Sequence, residues 1–187
     1  KAISDARKAN PEDSSLTLTE ANLYLETKDF ETYKKLIAEV LEKNPNDSDL
    51  IFNLGVINAN AKKTADIAAE TAHTASVKAG KAGKVEEAKT YAKAEKDALA
   101  QSAQSAIDAE KYYKRVIEIN PKYINGYINL AALKLEDEKV IIDEMNKLGT
   151  SEKDMKRYDV LKNQRFNLFR SAIPYLIKAV EIDPTNI

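Results

Sequence analysis

The chain has 187 residues, 43% of them apolar and 32% charged, a balance that permits a buried core. Lys and Arg number 29 against 30 Asp and Glu, so a net charge of −1 provides no overall field to attract nucleic acid or an anionic membrane. The absence of Cys excludes disulfides, thiolate zinc sites and a Cys nucleophile.

Helix is the secondary structure that the composition favours. Gly and Pro number only five each, while Ala, Lys, Glu, Leu and Ile are abundant, so we expect an all-α chain. No window approaches the roughly 18 to 20 uninterrupted apolar residues that a membrane-spanning helix needs. The N-terminal residues lack the apolar stretch of a signal peptide, and they leave the compartment open.

Four apolar, helix-like runs are each followed by an Asn-Pro or Asp-Pro pair. The pairs are Asn10-Pro11, Asn44-Pro45, Asn120-Pro121 and Asp183-Pro184. Pro is tolerated just beyond a helix and in the first turn of the next, so each pair predicts the end of one helix. The first two prolines are 34 positions apart, which fits two helices and a turn, whereas the next two spacings are 76 and 63. We therefore predict helix-pair repeats, two of which carry inserted sequence.

These repeats divide a single predicted domain into four segments. Residues 1–12 form the second helix of a repeat, and residues 13–46 form a complete repeat. Residues 47–122 and 123–187 form repeats with extensions at about 60–102 and about 136–164. Because the chain begins at a second helix and ends just after a closing proline, we expect both ends to be cuts through a longer array.

Aligning the segments on their closing prolines brings residues of similar size together. The aligned sets are Ala21, Gly55 and Ala131 in the first helices, and Ala109 with Ala172, then Ile37, Tyr113 and Leu176, then Val40, Val116 and Ala179 in the second helices. Small residues let antiparallel helices approach closely, and large ones fill the gaps between them. On these positions, "INGYINLAALKLE" and "RSAIPYLIKAVEIDPTN" resemble the two helices of a tetratricopeptide repeat. The pattern is broken at Glu20, Tyr33, Asn58 and Lys134.

The resemblance implies a right-handed α-α superhelix, a solenoid whose first helices line a concave groove that binds a peptide or a partner helix. The groove-facing positions would be Leu18, Asn22, Leu25, Phe52, Asn53, Val56, Asn125, Ile128, Asn129 and Ala132. Asn side chains can donate to and accept from a peptide backbone, and apolar side chains supply desolvation energy. Alternatively, neighbouring helices or further repeats outside this sequence cover Leu18, Phe52 and Ile128.

One subclass of the family grips a C-terminal carboxylate with asparagines flanked by basic residues. Asn22 and Asn53 match the asparagines, but Leu18, Asn125 and Asn129 occupy the basic positions. A carboxylate would lose its charge-assisted hydrogen bonds there, so we expect no such clamp.

The first insertion is rich in Ala at helical spacing, which predicts that a helix pair is lengthened into an antiparallel hairpin. The predicted seam is Ala61, Ala65, Ala68, Ala72, Ala75 and Ala79 outward, and Val85, Ala88, Ala92, Leu99, Ala103, Ala106, Ala109, Tyr113 and Val116 on the return, interrupted at Glu95. Alanines bury little area, so we expect this hairpin to be weakly held. Its tip carries Lys78, Lys81 and Lys84 without a nearby acid. They form either a basic contact for an anionic partner or lipid headgroup, or a solvated turn.

The second insertion is predicted to be a similar hairpin with larger side chains, and so a firmer one. Val140, Ile141, Met145 and Leu148 continue the first helix, Gly149 fits a C-cap, and Thr150 or Ser151 can cap the next helix. The returning seam is Met155, Tyr158, Leu161, Phe166, Phe169, Ile173 and Leu176. Pro174 lies within this helical pattern and predicts a kink.

No constellation that would support catalysis or cofactor binding is found. The only histidine, His73, has no nucleophile or ligand cluster at helical spacing, and we expect it on the surface. "GKAGK" lacks the spacing and the terminal Ser or Thr of a phosphate-binding loop. We expect no enzyme, no metal and no cofactor.

We therefore expect a non-catalytic adaptor or scaffold that binds another protein through the groove, without nucleic acid and without membrane insertion. The alternative is a structural subunit of a bacterial cell-envelope or membrane-associated complex that docks through its hairpins. A third reading is regulation of an enzyme attached in a longer chain. Similar long-armed repeats occur in bacterial envelope proteins, so the resemblance makes the periplasm or cell envelope the first expected location and the cytoplasm the second. The sequence predicts neither the partner nor the oligomeric state.

Overall fold

The computed structural model describes residues 2–185, and within that range the chain is helical with no β-strand. The helices are α1 (Ala2–Ala9), α2 (Ser14–Glu26), α3 (Phe30–Lys43), α4 (Ser48–Lys81), α5 (Val85–Ile119), α6 (Ile124–Leu135), α7 (Glu138–Met145) and α8 (Glu152–Ile182). The prediction of an all-α chain is confirmed.

The chain divides into two compact units, Lys1–Tyr112 and Tyr113–Ile187. The first unit contains α1 to α4 and most of α5. The second unit contains the last turns of α5 together with α6, α7 and α8. The division between the units falls within α5.

Each helix that precedes an Asn-Pro or Asp-Pro pair ends two residues before the proline. These helices end at Ala9, Lys43, Ile119 and Ile182. The residue before a proline is kept out of the helical region by steric clash. Accordingly, Asn44 and Asp183 have φ,ψ values of −130°, 75° and −143°, 97°. Asp13 and Asp47 then cap α2 and α4 by accepting hydrogen bonds from first-turn N–H groups.

The core of the first unit is built where α2 packs against α3 and α3 against α4. Its buried cluster is Ala21, Tyr33, Leu36, Ile37, Leu54 and Ile57. Ala21 and Gly55, which the repeat alignment placed at equivalent small positions, are both buried, as are the aligned large residues Ile37 and Val40. Small residues at these points let the helices approach closely.

The core of the second unit forms where α6 packs against α8 and against the end of α5. The buried apolar residues are Tyr113, Val116, Tyr127, Leu130, Ala131, Leu161, Ala172 and Ala179. A Cβ atom at Gly126 would lie 2.8 Å from Ile117 Cγ2, so only glycine permits this approach of α6 to α5. Leu176 is an exception to the repeat alignment: its aligned counterparts Ile37 and Tyr113 are buried, whereas it is 39% exposed.

Helix α1 is attached to the first unit mainly by charged side chains, and none of its residues is buried. Arg7 Nε lies 2.6 Å from Glu20 Oε2, and Arg7 Nη1 donates a 2.8 Å hydrogen bond to Glu39 Oε2. The Nε–H is not aligned for a hydrogen bond to Glu20, so that contact is an ion pair. Glu20 is 5% exposed, so the Arg7 guanidinium compensates a buried carboxylate at one of the positions that break the predicted repeat pattern.

Helices α4 and α5 pair as an antiparallel hairpin, named here the first hairpin. The Ser102 hydroxyl donates a hydrogen bond to Asp66 Oδ1, and His73 Nδ1 lies 3.0 Å from Glu95 Oε1. Progress along α4 from Asp66 to His73 is therefore matched by a return along α5 from Ser102 to Glu95. The side chain of His73 is 61% exposed, as expected for a surface residue.

The seam of the first hairpin on α4 follows the predicted alanines only in part. Ala65, Ala72 and Ala79 are buried as predicted. Ala68 is exposed, and the neighbouring Ala69 is buried in its place. The buried face of α4 therefore differs from the predicted seam by one residue at this point.

The seam predicted on the outer part of α5 is wrong. Val85, Ala92, Leu99 and Ala103 are exposed, whereas the buried residues there are Ala98, Ser102 and Ser105. The inner members of the predicted seam, Ala109, Tyr113 and Val116, are buried as predicted. The helix is turned by about one residue relative to the prediction because Glu95 and Ser102 meet polar partners on α4. Alanines at many positions would pack almost equally well in several registers of α4 against α5. The hydrogen bond between Ser102 and Asp66 forms in only one of these registers and therefore selects it.

The tip of the first hairpin is a helix C-terminus closed by Gly83. The Lys84 N–H donates to the Ala79 carbonyl at 3.0 Å, and the Gly83 N–H donates to the Gly80 carbonyl at 3.1 Å. With a φ of 72° at Gly83, this is the Schellman arrangement, which satisfies the last carbonyls of α4.

We expect Gly83→Ala to destabilise the first hairpin by about 1 kcal/mol, because a Cβ atom disfavours the left-handed conformation. The matched change Gly80→Ala is expected to stabilise it by about 0.5–1 kcal/mol, because Gly80 lies within α4 and an added Cβ meets nothing within 4 Å. Native-state hydrogen exchange of amides near the tip measures both effects. Equal effects of the two substitutions would contradict the left-handed turn.

Helices α7 and α8 form a second antiparallel pair, held by two ion pairs. Arg157 Nη2 lies 2.6 Å from Glu144 Oε1, and Arg165 Nη2 lies 2.7 Å from Glu138 Oε1. The contact with Arg157 lowers the pKa of the Glu144 carboxyl. These pairs are partly exposed, so each contributes little to stability.

Three expectations for this second hairpin are corrected. The first helix does not continue through the insertion, because α6 ends at Leu135 and α7 begins at Glu138 after a turn. The C-cap of α7 is Asn146 rather than Gly149. Large side chains do not make this hairpin firm: Val140, Met155, Tyr158 and Phe166 are 45–67% exposed. Ser151 does cap α8, and α8 continues through Pro174.

Candidate functional site

Six of the predicted groove residues lie in the first unit, on α2 and α4. They are Leu18, Asn22, Leu25, Phe52, Asn53 and Val56. Asn22, Leu25 and Asn53 are exposed, and the other three are half-buried. Leu18 packs against the core cluster of the unit, which agrees with the alternative that neighbouring helices cover it. Phe52 and Val56 on α4 each leave part of their apolar side chain exposed to solvent.

Asn53 has a partner within the first unit that sequence reasoning missed. Its side chain forms a hydrogen bond with the hydroxyl of Tyr33 on α3. Tyr33 is 1% exposed, and its burial raises the pKa of the hydroxyl, while the bond to Asn53 opposes that shift. An Asn side chain carries several donor and acceptor sites, so Asn53 can hold Tyr33 and still offer a hydrogen bond outward.

The remaining predicted groove residues lie in the second unit, on α6. Asn125 and Ala132 are exposed, and Ile128 and Asn129 are half-buried. The Asn129 Nδ2 donates a 2.9 Å hydrogen bond to the Asn125 backbone carbonyl one turn earlier. This bond fixes the orientation of the Asn129 amide beside Ile128.

The three tip lysines are all exposed, but the expectation that no acid lies near them is corrected for Lys84. Lys84 Nζ lies 3.0 Å from Glu87 Oε1 and 3.1 Å from Glu87 Oε2. Lys78 and Lys81 lie in the last turn of α4, where a positive charge interacts favourably with the negative end of the helix dipole. The tip therefore has a structural explanation for its lysines without a ligand.

A polar cluster lies inside the first hairpin, where an Ala-rich apolar seam was predicted. Lys62 is 7% exposed and places its Nζ 2.8 Å from Asp66 Oδ2, while Asp66 also accepts from Ser102. The Lys62 ammonium is compensated by the Asp66 carboxylate, as a buried charge must be. The cluster fixes the pairing of α4 with α5.

Large apolar side chains on α8 form an exposed surface that sequence reasoning missed. Met155, Tyr158, Phe166 and Ile173 were assigned to a buried seam, but they are 45–62% exposed. The sequence could have revealed this surface. The apolar residues of α8 cover a wider arc of the helix than one neighbouring helix can bury, so some of them had to remain exposed.

Among residues 2–185, no group of His, Asp and Glu side chains is arranged to hold a metal ion. No helix in that part of the chain combines the length and the apolarity needed to cross a bilayer.

No protein-family model matches the sequence, and no curated protein matches it.

Proposed function

We propose that the chain is a non-catalytic protein-interaction module of the tetratricopeptide class, which binds a peptide or partner helix along its first helices. The observation that carries the proposal is a recurring surface pattern. Phe52, Asn53 and Val56 on α4 correspond to Ile128, Asn129 and Ala132 on α6. The shift between them is 76 positions, the same as between Pro45 and Pro121.

The chemistry of this pattern suits an uncharged, extended ligand. In each triplet an apolar side chain with remaining outer surface precedes an Asn that is held in place by a partner of its own unit. The fixed amide can pair with a peptide N–H or C=O, and the apolar side chain supplies contact area. Neither triplet contains a charged residue, so a neutral peptide segment or the apolar face of a helix is the favoured ligand.

A second candidate function is that of a structural subunit that docks through the first hairpin. Ile67 on α4 is 66% exposed, and Leu99 and Ile107 on α5 are 52% and 61% exposed. Exposed branched apolar side chains on a projecting hairpin favour a protein contact there. A cell-envelope location belongs to this second proposal.

Parallel affinity purifications from native cells test the two proposals. The baits are the unchanged chain, Phe52→Glu with Ile128→Glu, and a chain in which residues 63–100 are replaced by a short Gly-rich turn. Groove binding predicts at least a tenfold loss of the partner with the double variant, because a buried Glu carboxylate opposes an apolar contact. The partner should be retained by the shortened chain and by the control Ile67→Glu with Ile107→Glu. Loss with the shortened chain or the control alone would overturn groove binding and support docking through the hairpin.

A further inference from the structure

One face of α8 carries large apolar side chains that no other described part of the chain covers. This face is named the α8 stripe, and its apolar members are Met155, Tyr158, Phe166, Phe169, Ile173, Leu176, Ile177 and Val180. At 3.6 residues per turn, these positions fall within an arc of about 100°. All of them except the half-buried Phe169 are 39–62% exposed.

The α8 stripe is distinct from the face of α8 that packs within the second unit. The buried residues Leu161, Ala172 and Ala179 point about 100° away from the stripe around the helix. Helices α6 and α7 pack against α8. Arg165 lies at the border between the two faces, where it is paired with Glu138 and stacked over the Phe169 ring at 5.3 Å. The intramolecular contacts of α8 therefore leave the stripe open.

The order of residues along the α8 stripe is symmetric about the point between Asn167 and Leu168. Counting outward from that point, the equidistant pairs are Phe166 with Phe169, Lys162 with Ile173, Tyr158 with Ile177, and Met155 with Val180. If two copies of α8 lie antiparallel, each apolar residue meets an apolar residue of the other copy. The exceptions are Ile173, which meets Lys162, and Leu176, which meets Asp159; the aliphatic stem of Lys162 can cover Ile173 while its ammonium reaches water.

Charges along the solvent side of the stripe are complementary in the same antiparallel register. Lys156 lies close to the level of Glu181 of a second copy, and Asp159 lies close to the level of Lys178. Each of these contacts occurs twice in a two-fold symmetric pair, because the interface is isologous. Opposite charges at the border favour this register over shifted ones.

The exposed apolar area is close to what a specific dimer needs. Seven stripe side chains are on average about half exposed, and at about 180 Å² for a large apolar side chain they present about 600 Å² per chain. Two copies would bury about 1,200 Å², which lies at the lower end of specific interfaces. This size suits a reversible dimer.

We propose that this chain forms a homodimer in which two copies of α8 pack antiparallel along the α8 stripe. The occupant of the stripe is thus a second copy of the chain. The proposal is independent of groove binding, since it uses neither α4 nor the predicted groove residues of α6.

Mass measurements on the 187-residue chain test the proposal. Sedimentation equilibrium over a rising concentration series should show the mean mass increasing from 20.8 kDa toward twice that value. Phe166→Glu with Ile173→Glu should raise the dissociation constant at least 100-fold, because each dimer would bury four carboxylates. The control is Val160→Glu, which changes a 47% exposed apolar residue of α8 outside the stripe and should leave dimerisation unchanged.

The proposal is overturned if the unchanged chain stays at 20.8 kDa up to about 0.5 mM, a concentration at which even weak specific pairs associate. It is also overturned if the double Glu variant dimerises as well as the unchanged chain. Far-ultraviolet circular dichroism on each variant confirms that a loss of dimer is not a loss of helix.

Single-cysteine chains test the antiparallel arrangement, since the chain has no Cys of its own. Phe166→Cys should give a linked dimer with a short bismaleimide, because the two copies of position 166 lie within about 5 Å of each other along the axis. Met155→Cys should not link to itself, because its two copies would be about 37 Å apart. It should link to Val180→Cys when the two variants are mixed. Self-linkage of Met155→Cys would show a parallel pair and overturn the antiparallel proposal.

Discussion

Leu161→Ala is expected to lower the free energy of unfolding of the second unit by about 3 kcal/mol. Leu161 is 1% exposed and lies on the face of α8 that packs within the unit, with Ala172 and Ala179. Truncation removes three carbon atoms from a filled core, and the surrounding helices relax only in part, so a cavity remains. Urea unfolding followed by circular dichroism, with hydrogen exchange to assign the change to the second unit, measures the effect.

The adjacent residue provides the control for this change. Val160 is 47% exposed on another face of the same helix, and Val160→Ala should change the unfolding free energy by less than about 0.5 kcal/mol. Both experiments should be run at low protein concentration, so that the proposed dimerisation does not contribute to the measured stability. A cost of Leu161→Ala no larger than that of Val160→Ala would contradict the packing of α8.

The second large effect concerns the alkaline stability of the second unit. Tyr113 is 1% exposed, and its burial, with a smaller contribution from the charge of Glu136, raises the pKa of its hydroxyl to about 12 from the ordinary 10.0. Below pH 10 the hydroxyl is protonated in both the folded and the unfolded chain. Between pH 10 and about 12 it ionises only in the unfolded chain, so stability falls as the pH rises. The full loss through this group is about 3 kcal/mol.

Tyr113→Phe should remove this part of the pH dependence. Urea unfolding of both chains at about pH 9 and about pH 12 gives the difference, and deprotonation of the lysines affects both chains alike. Burial also raises the pKa of Tyr33 and Tyr112, which belong to the first unit and are unchanged in the variant. An equal loss of stability in the two chains would show that Tyr113 ionises freely when folded.

The helix ends were predictable because the rules that set them act over a few residues. At Asn44-Pro45, the steric conflict before the proline ends α3, and Asp47 then accepts the N-terminal hydrogen bond of α4. The buried small positions Ala21 and Ala131 were likewise identified, because the same proline-based alignment brings equivalent residues of different helix pairs together.

The faces of the long helices were harder to predict. Alanines occupy neighbouring positions such as 68 and 69, so several seams of α4 have almost the same apolar content. The choice among them depends on Asp66 meeting Ser102, two residues 36 positions apart. On α8, apolar residues span two faces, and packing against α6 and α7 decides which face is buried. In both helices the buried face depends on contacts between distant parts of the chain, and the periodicity of a single helix does not reveal those contacts.

The candidate groove shows the same limit. Sequence spacing identified residues that are exposed, such as Asn22, Asn53 and Asn125, because the repeat pattern assigns a face to each position of a helix. It missed the packing of Leu18 on the core and the bond from Asn53 to Tyr33, which join residues of different helices.

The charged attachment of α1 gives the N-terminal helix a response to solutes opposite to that of the apolar cores. Added sodium chloride screens the contact of Arg7 on α1 with the half-exposed Glu39, and also that of Lys43 with the exposed Glu12 in the turn after α1. The inner pair with Glu20 is shielded from ions and should yield later. A sulfate salt would also screen these ion pairs, but sulfate is excluded from the protein surface and therefore strengthens apolar packing. In such a salt we expect α1 to detach from α2 and α3 while the apolar core of the first unit becomes more stable.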